Sequence, residues 1–176
     1  QGELILSFAV QAPEGAWSPA AEGLTGRVDG DHVVLNGSRA FVDGFRASGR
    51  CLVLYQAEGG TVAAALVDTA AAGITCADYV TTAKDSQARV DFADVRVPLA
   101  DRVGAPSQGA AVARDLCDHA AALMTSQLAG AARRDMEFAV EYAGQREAFG
   151  QPIGAFQAIQ HLCADMLIAV DGAQLL

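Results

Sequence analysis

The chain has 176 residues, of which 52% are hydrophobic, and its mean hydropathy is +0.23, so it is long enough and apolar enough to form an ordinary globular domain. Its formal net charge is -9 and Lys84 is its only lysine, which argues against a nucleic-acid partner because phosphate contacts need clustered Lys and Arg. It has neither a run of eighteen apolar residues nor a charged-then-apolar leader, so we expect no membrane association and no signal peptide.

The four cysteines are widely spaced along the chain, at Cys51, Cys76, Cys117 and Cys163. They form no Cys-x-x-Cys motif and have no His pair nearby, as a zinc site would require. We therefore interpret them as buried, reduced thiols of a cytoplasmic protein, and we expect neither a disulfide framework nor a metal site.

Short β-branched and aromatic runs, separated by Gly, Asp, Asn and Pro, fill the chain from residue 4 to about residue 104. The stretch "ARVDFADVRV" alternates apolar and polar residues, and Asp29-Gly30 is typical of a tight hairpin turn. This pattern predicts an antiparallel β-sandwich or β-barrel domain over residues 1–106.

The hydrophobic period changes to three and four residues after Pro106, which predicts one long helix over about residues 109–143 and a second from about residue 156. On the outer face of the first helix, Arg133 and Glu137 lie four positions apart and can pair. The second helix is apolar on more than one side and therefore needs further neighbours. The predicted fold is α+β, with a long antiparallel helix pair over residues 107–176.

The stretch between the two helices, "QREAFGQPIGAFQAIQ", sets one arginine, one phenylalanine and one glutamine around a tight turn. One interpretation is a surface loop in which Arg146 simply caps the C-terminal end of a helix. The other is a pocket for a phosphate-bearing cofactor, because guanidinium stays charged and offers a planar fork to phosphate oxygens, while Gly150 and Gly154 let the backbone approach closely.

Three motifs, "LNGSRAFV", "VDFADVRVPLADRVG" and "REAFGQPIGAFQAIQHLCADM", resemble in their order and spacing those of the acyl-CoA dehydrogenase family. The resemblance covers essentially the whole chain. It implies that residues 1–106 correspond to the middle β-domain of that family and residues 107–176 to the first two helices of its C-terminal four-helix domain. The family's N-terminal helical domain and last two helices have no counterpart in this chain, so we expect a partial bundle and a fragment that is inactive alone.

The resemblance implies FAD as cofactor, bound at an interface between the subunits of a homo- or hetero-oligomer. Arg146 and Phe149 would hold the adenosine-pyrophosphate end of a flavin bound mainly by a neighbouring subunit, and Gln157 would add a hydrogen bond. Phe156 is counted with this site, although a core position suits it as well.

The same resemblance implies a second set of cofactor contacts in the β-domain. Where the family has Thr-Glu-Pro, Gly-Ser-Asp and Trp-Ile-Thr or Trp-Ile-Ser segments, this chain has "QAP", "AWS" and "FVD", although the basic residue at Arg39 keeps its place. The corresponding cofactor-binding positions are Gln11, Phe41, Val42 and Asp43. Trp17 stands where the family has a small serine, and Trp17 and Phe41 could instead cap the β-core. Two like charges about 4 Å apart repel each other by roughly 4 kcal/mol at an effective dielectric of about 20. The carboxylate of Asp43 would therefore disfavour the anionic reduced flavin.

The family reaction is α,β-dehydrogenation of an acyl-CoA thioester, with electron-transfer flavoprotein or a similar electron acceptor. A minority of members carry the catalytic base on the first long helix. The corresponding positions fall near Ala120 and Ala121 here, and neither side chain can titrate, so no catalytic residue is assigned. Three hypotheses remain. The chain is part of an active oxidoreductase of fatty-acyl or steroid side-chain thioesters, a flavin-poor subunit that completes the FAD site of an active partner, or an unrelated β-plus-helix binding module.

Overall fold

The computed structural model describes residues 4–14 and 20–175. The chain divides into two compact units, with the boundary between Leu116 and Cys117. The first unit contains the strands β1 (Leu6–Ala9), β2 (Leu24–Asp29), β3 (His32–Asp43), β4 (Arg50–Ala57), β5 (Val62–Asp68), β6 (Ile74–Asp78), β7 (Gln87–Pro98) and β8 (Arg102–Val103). Helix α1 (Gly109–Gln145) begins in the first unit and continues into the second, where β9 (Glu147–Ala148), β10 (Gln151–Pro152) and α2 (Gln157–Leu175) follow.

The eight strands of the first unit form one sheet in the order β6-β7-β3-β2-β4-β5-β8, with β1 added beside β4. Most neighbours are antiparallel, but β1 and β2 both run parallel to β4 and share one of its edges. The sheet does not close on itself. The predicted α+β class is therefore confirmed. The sheet is mixed and open rather than an antiparallel barrel, because β1 and β2 run parallel to β4 and the end strands β6 and β8 do not pair with each other.

The hairpin between β2 and β3 lies where the sequence predicts it. Asp29 pairs with His32, and Gly30 takes a φ of 62° in the two-residue loop, a conformation that glycine adopts without a steric penalty. Further along, β3 slips in register against β7 between Leu35 and Gly37 and again between Arg39 and Val42. Such β-bulges redirect side chains, and the second one lies within the predicted cofactor segment.

The sheet carries apolar side chains on both faces, because alternate residues of a strand point to opposite sides. Along β4, Cys51, Val53 and Tyr55 join the larger core cluster, while Leu54 joins a smaller one. The smaller cluster includes Ala113 from the first turns of α1. An ideal Cβ on Gly109 would lie 2.6 Å from a backbone atom of Ala63, so the backbone at the start of α1 is in close contact with the backbone of β5.

In the second unit the chain reverses direction between the two helices, and Gly154, just before α2, lies close to Ala143 of α1. Farther from the turn, Arg133 Nη2 donates to Asp171 Oδ1 at 2.7 Å. The possible pair of Arg133 with Glu137 does not form, since Glu137 accepts from Arg134 at 2.9 Å instead. Many large apolar side chains of the two helices stay exposed, including Leu123, Met124, Leu128, Phe138, Val140, Tyr142, Leu162, Leu167, Ile168 and Leu175. Neither helix, over its described residues, combines the length and the apolarity needed to cross a membrane.

Candidate functional site

The turn between α1 and α2 is a small β-hairpin that fixes the backbone of Arg146. Ala148 pairs with Gln151 and Glu147 with Pro152. The Arg146 N–H donates to the Tyr142 carbonyl at 2.8 Å, which ends α1, and the Arg146 carbonyl accepts from the Ile153 N–H at 2.7 Å. The backbone from which the arginine side chain projects is therefore held on both sides.

The Arg146 side chain itself is exposed and uncommitted. In the part of the chain that the structure describes, its guanidinium makes no hydrogen bond and no ion pair. Several other arginines do pair with carboxylates, namely Arg46, Arg50, Arg89, Arg96, Arg133 and Arg134. A planar fork on a fixed backbone is thus available at the turn for an anionic group.

Phe149 occupies the tip of this hairpin in an unusual conformation. Phe149 and Gly150 form the two-residue loop with φ values of 55° and 81°, the positive-φ pair that Asn-Gly usually supplies. A bulky residue in this region is a steric outlier, and such strain concentrates at ligand-binding positions. The Phe149 side chain is also 96% exposed, and it meets Phe156 edge to face with ring centroids 6.2 Å apart.

The start of α2 adds further donors. Gln157 is the first residue of α2 and is exposed, whereas Phe156 is half-buried and its carbonyl accepts from the N–H groups of Ile159 and Gln160. The first N–H groups of a helix have no intrahelical acceptor, and the helix dipole favours anions there. Guanidinium, side-chain amide, helix N-terminus and exposed aromatic ring together suit a phosphate-bearing ligand that also carries an aromatic ring.

The β-domain places its four predicted residues around the second half of β3. The Ala40 N–H donates to the Gln11 carbonyl at 3.2 Å, which fixes residue 11 beside this strand. Phe41 takes a φ of 49°, is 40% exposed, and stacks on Tyr79 with ring centroids 4.7 Å apart. Asp43 is exposed at the end of β3.

Val42 differs from its neighbours, because its side chain is fully buried in the larger core cluster. Only its main chain is therefore available to a ligand. The predicted substitution at Trp17 lies outside the described residues. Ala120 and Ala121 are exposed on α1 and have no group that titrates. They lie near the positions at which a minority of acyl-CoA dehydrogenases, the family that the sequence resembles, carry the catalytic base.

Two residues near this site were not singled out by sequence reasoning. Tyr79 follows β6 and gave no signal beyond being aromatic. Arg39 was noted only as a basic residue in register, yet it is fully buried. Burial lowers the pKa of the Arg39 guanidinium to about 10, so it stays charged at neutral pH. Its position among the apolar residues of a core strand was the only sequence feature that indicated its burial.

The cysteines and the acidic groups form no further site in the part of the chain described. All four thiols are free, and Cys51 alone is fully buried, so the expectation of buried thiols holds for that residue only. Among the described residues, no three His, Cys, Asp or Glu side chains cluster as metal ligands would.

Comparison with known proteins gives consistent matches over the whole chain. Residues 107–176 match the family model of the acyl-CoA dehydrogenase C-terminal domain. The chain is 31% identical to the rat short-chain specific acyl-CoA dehydrogenase, and the match covers 99% of this chain and 44% of that protein. The chain thus spans about half the length of the curated relatives it matches.

Solved structures agree with these matches. The structure of a probable acyl-CoA dehydrogenase from Mycobacterium abscessus superposes with a TM-score of 0.89 at 26% identity, covering 97% of this chain and 47% of that one. An acyl-CoA dehydrogenase from Bacillus anthracis, whose structure is a complex with FAD, has the same fold with a TM-score of 0.89 at 24% identity, covering 95% of this chain and 30% of that one.

Proposed function

Since the chain belongs to the acyl-CoA dehydrogenase family, we propose that it is part of an FAD-dependent oxidoreductase that dehydrogenates an acyl-CoA thioester between its α and β carbons. Residues 1–106 would be the middle β-domain and residues 107–176 the first two helices of the C-terminal domain. The observation that carries the proposal is the exposed, uncommitted Arg146 beside the strained and exposed Phe149. Family membership excludes the unrelated binding module.

The residues at the turn fit the adenosine-pyrophosphate end of FAD. Arg146 would bind phosphate oxygens through its planar fork, and Gln157 would donate or accept one hydrogen bond at the start of α2. Phe149 would contact an aromatic ring, with Phe156 supporting it from one edge. When bound, FAD supplies the hydride-accepting ring for this reaction.

The β-domain would contribute the contacts around the flavin ring. Gln11 would offer its amide, Phe41 an aromatic face and Val42 only its main chain, because its side chain is buried. Asp43 would place a carboxylate there. No residue of this chain is assigned as the base that removes the α-proton, because Ala120 and Ala121 have no group that accepts a proton.

The partners follow from the same proposal. An oligomer with FAD at a subunit interface agrees with the exposed apolar side chains of α1 and α2, which a monomer rarely leaves uncovered. The substrate would be a fatty-acyl or steroid side-chain thioester of CoA, and electron-transfer flavoprotein or a similar acceptor would reoxidise the flavin. A cytoplasmic location is proposed because free cysteines fit a reducing compartment.

The test is Arg146→Ala in the full-length assembly. Losing a charge-assisted contact to phosphate should cost roughly 1.5–3 kcal/mol, a loss of FAD affinity of about ten- to a hundredfold, without unfolding the protein. Arg146→Lys should restore only part of the affinity, because an ammonium lacks the planar fork. Arg134→Ala, which removes an exposed arginine paired with Glu137 on the same helix, is the matched control. Unchanged FAD content in Arg146→Ala would make the turn purely structural.

A second candidate function is a flavin-poor subunit that completes the FAD site of an active partner. The observation that favours it is the exposed carboxylate of Asp43, for which the described residues provide no paired cation. Asp43→Thr separates the two candidates. In a homo-oligomer this substitution should strengthen FAD binding at the same sites that Arg146→Ala weakens. In a mixed assembly it should change nothing at the partner's flavin, whereas Arg146→Ala should still empty that site.

A further inference from the structure

Arg39 is a buried cation whose hydrogen bonds all go to main-chain carbonyls. Its Nε and Nη2 donate to the Leu54 carbonyl at 3.2 and 2.6 Å, and Nη2 also donates to the Ala21 carbonyl at 2.8 Å. Its Nη1 donates to the carbonyls of Glu22 at 2.5 Å and Ser38 at 3.2 Å. No carboxylate of the described residues forms an ion pair with it.

A buried charge without a counter-ion is costly, and its retention needs a structural reason. Here the carbonyl oxygens of three separate segments converge on one point, and five N–H donors in a fixed plane satisfy them at once. Two of those carbonyls, from Ala21 and Glu22, belong to the segment that leads into β2, and one, from Leu54, belongs to β4. Arg39, which lies on β3, thereby ties both the segment that leads into β2 and the strand β4 to β3.

The other contacts of β3 secure the same region. The Ser38 N–H donates to the Gly23 carbonyl at 2.9 Å and the Ala40 N–H to the Gln11 carbonyl at 3.2 Å. An ideal Cβ on Gly37 would lie 2.1 Å from the Gly23 oxygen, and one on Gly23 would lie 2.4 Å from Pro13 Cδ. Gln11 and Gly23 are thus hydrogen-bonded to β3, and Gly23 also lies too close to Pro13 and Gly37 for a side chain at position 23 or 37.

We propose that Arg39 is a positioning residue for cofactor binding: it fixes residues 20–23 on β3 so that Gln11, Phe41 and Asp43 present one geometry to the flavin. The inference rests on the proposed function, since it requires that the chain's own β-domain faces a flavin. Arg39 touches neither cofactor nor substrate in this role. It acts through the carbonyls of Ala21 and Glu22, and its fork supplies directed donors where an apolar side chain would leave buried carbonyls unsatisfied.

The experiment uses the full-length protein in its native assembly, with Arg39→Met and Arg39→Lys. FAD affinity is titrated by flavin absorbance, the ring environment is followed by visible circular dichroism of the bound flavin, and the amides of residues 20–24 are followed by hydrogen exchange. Arg39→Met should weaken FAD binding roughly tenfold or more, alter the flavin dichroism and speed exchange in this segment by a similar factor. Arg39→Lys should recover part of all three changes.

Leu54→Ala is the matched control, because it opens a cavity in the smaller core cluster but keeps the carbonyl that Arg39 binds. It should lower the melting temperature while leaving FAD affinity and flavin dichroism within about twofold of the parent's, since a cavity removes apolar contacts and no donor. Equal losses of FAD affinity in Leu54→Ala and Arg39→Met would overturn the inference, because the effect would then be general destabilisation.

Faster exchange in Arg39→Met with unchanged FAD affinity and dichroism would also overturn it. If Arg39→Met does not fold, Arg39→Lys carries the same comparison. The proposed function has its own readout, which is FAD binding by the parent and its loss in Arg146→Ala. If both are observed while the Arg39 variants bind FAD as the parent does, only the inference about Arg39 is refuted. A parent assembly that binds no FAD would refute both.

Discussion

Phe149 and Phe156 meet edge to face, with their ring planes at 90° and their centroids 6.2 Å apart. Only Phe156 is partly buried, and Phe149 remains 96% exposed despite this contact. One aromatic residue therefore supports the other from its edge, while the face of the outer ring stays open. An exposed ring that is held in a fixed orientation binds a ligand at a lower entropic cost than a mobile one.

We expect Phe149→Asn to stabilise the protein and weaken FAD binding together. Asparagine tolerates the positive φ of this position, so relief of the strain should raise the free energy of unfolding by about 1 kcal/mol. The aromatic contact with the cofactor is lost at the same time. Thermal unfolding and FAD titration of the full-length protein measure the two effects. Phe149→Ala, which loses the ring without a residue suited to positive φ, should weaken FAD binding without the gain in stability. FAD affinity retained in both variants would show that the ring does not contact the cofactor.

Gly37→Ala should be far more damaging than Gly30→Ala, although both glycines have positive φ values, 133° and 62°. A Cβ at position 37 would lie 2.1 Å from the Gly23 oxygen, whereas nothing lies within 4 Å of one at position 30. Overpacking and backbone strain should together cost about 3 kcal/mol or more at Gly37, against about 1 kcal/mol at Gly30. Urea unfolding of the two variants checks the difference, and similar midpoints would contradict it.

Arg46→Ala should promote self-association with little loss of stability. Strand β6 lies at one end of the sheet order, and Arg46 covers it by donating to Asp78 Oδ1 at 2.7 Å and to the Cys76 carbonyl at 3.1 Å. An uncovered strand edge is a template for pairing with another chain. Static light scattering at rising concentration should show larger species for Arg46→Ala than for Arg96→Ala. The latter removes an arginine of β7, a strand with neighbours on both sides, and breaks its exposed ion pair with Asp29 of β2. Equal association of the two variants would rule out this role.

The stability of the β-domain should fall between about pH 9 and pH 11 in a manner that depends on Cys51. Burial raises the pKa of the Cys51 thiol from 9.0 to about 11, while a hydrogen bond with Ser7 acts in the opposite direction. The stabilisation is fully present below the unfolded pKa. Above it, the unfolded state loses the proton first, so the free energy of unfolding decreases as pH rises, by on the order of 2–3 kcal/mol in total. Denaturant unfolding of Cys51→Ala should show a shallower pH slope than the parent over this range. Parallel slopes would contradict the assignment.

The sequence by itself determined the local architecture. The period of three to four residues predicted both helices, and α1 (Gly109–Gln145) and α2 (Gln157–Leu175) lie where it placed them. Asp29-Gly30 predicted the hairpin in which Gly30 has positive φ. These features depend on contiguous residues, whose periodicity and allowed dihedral angles leave few alternatives. The turn around Arg146 was likewise visible as a motif, because its residues are neighbours in sequence.

Only the tertiary structure decided which distant groups meet. Arg133 could pair with Glu137 on its own helix but reaches Asp171, which is 38 positions away. Arg39 read as one basic residue among apolar ones, and its partners come from Ala21, Glu22 and Leu54 on other segments. The parallel pairing of β1 with β4 also had no local signal. Packing and chain closure over the whole unit select such pairings. Many alternative pairings have similar local free energies, so the pattern of neighbouring residues does not distinguish among them.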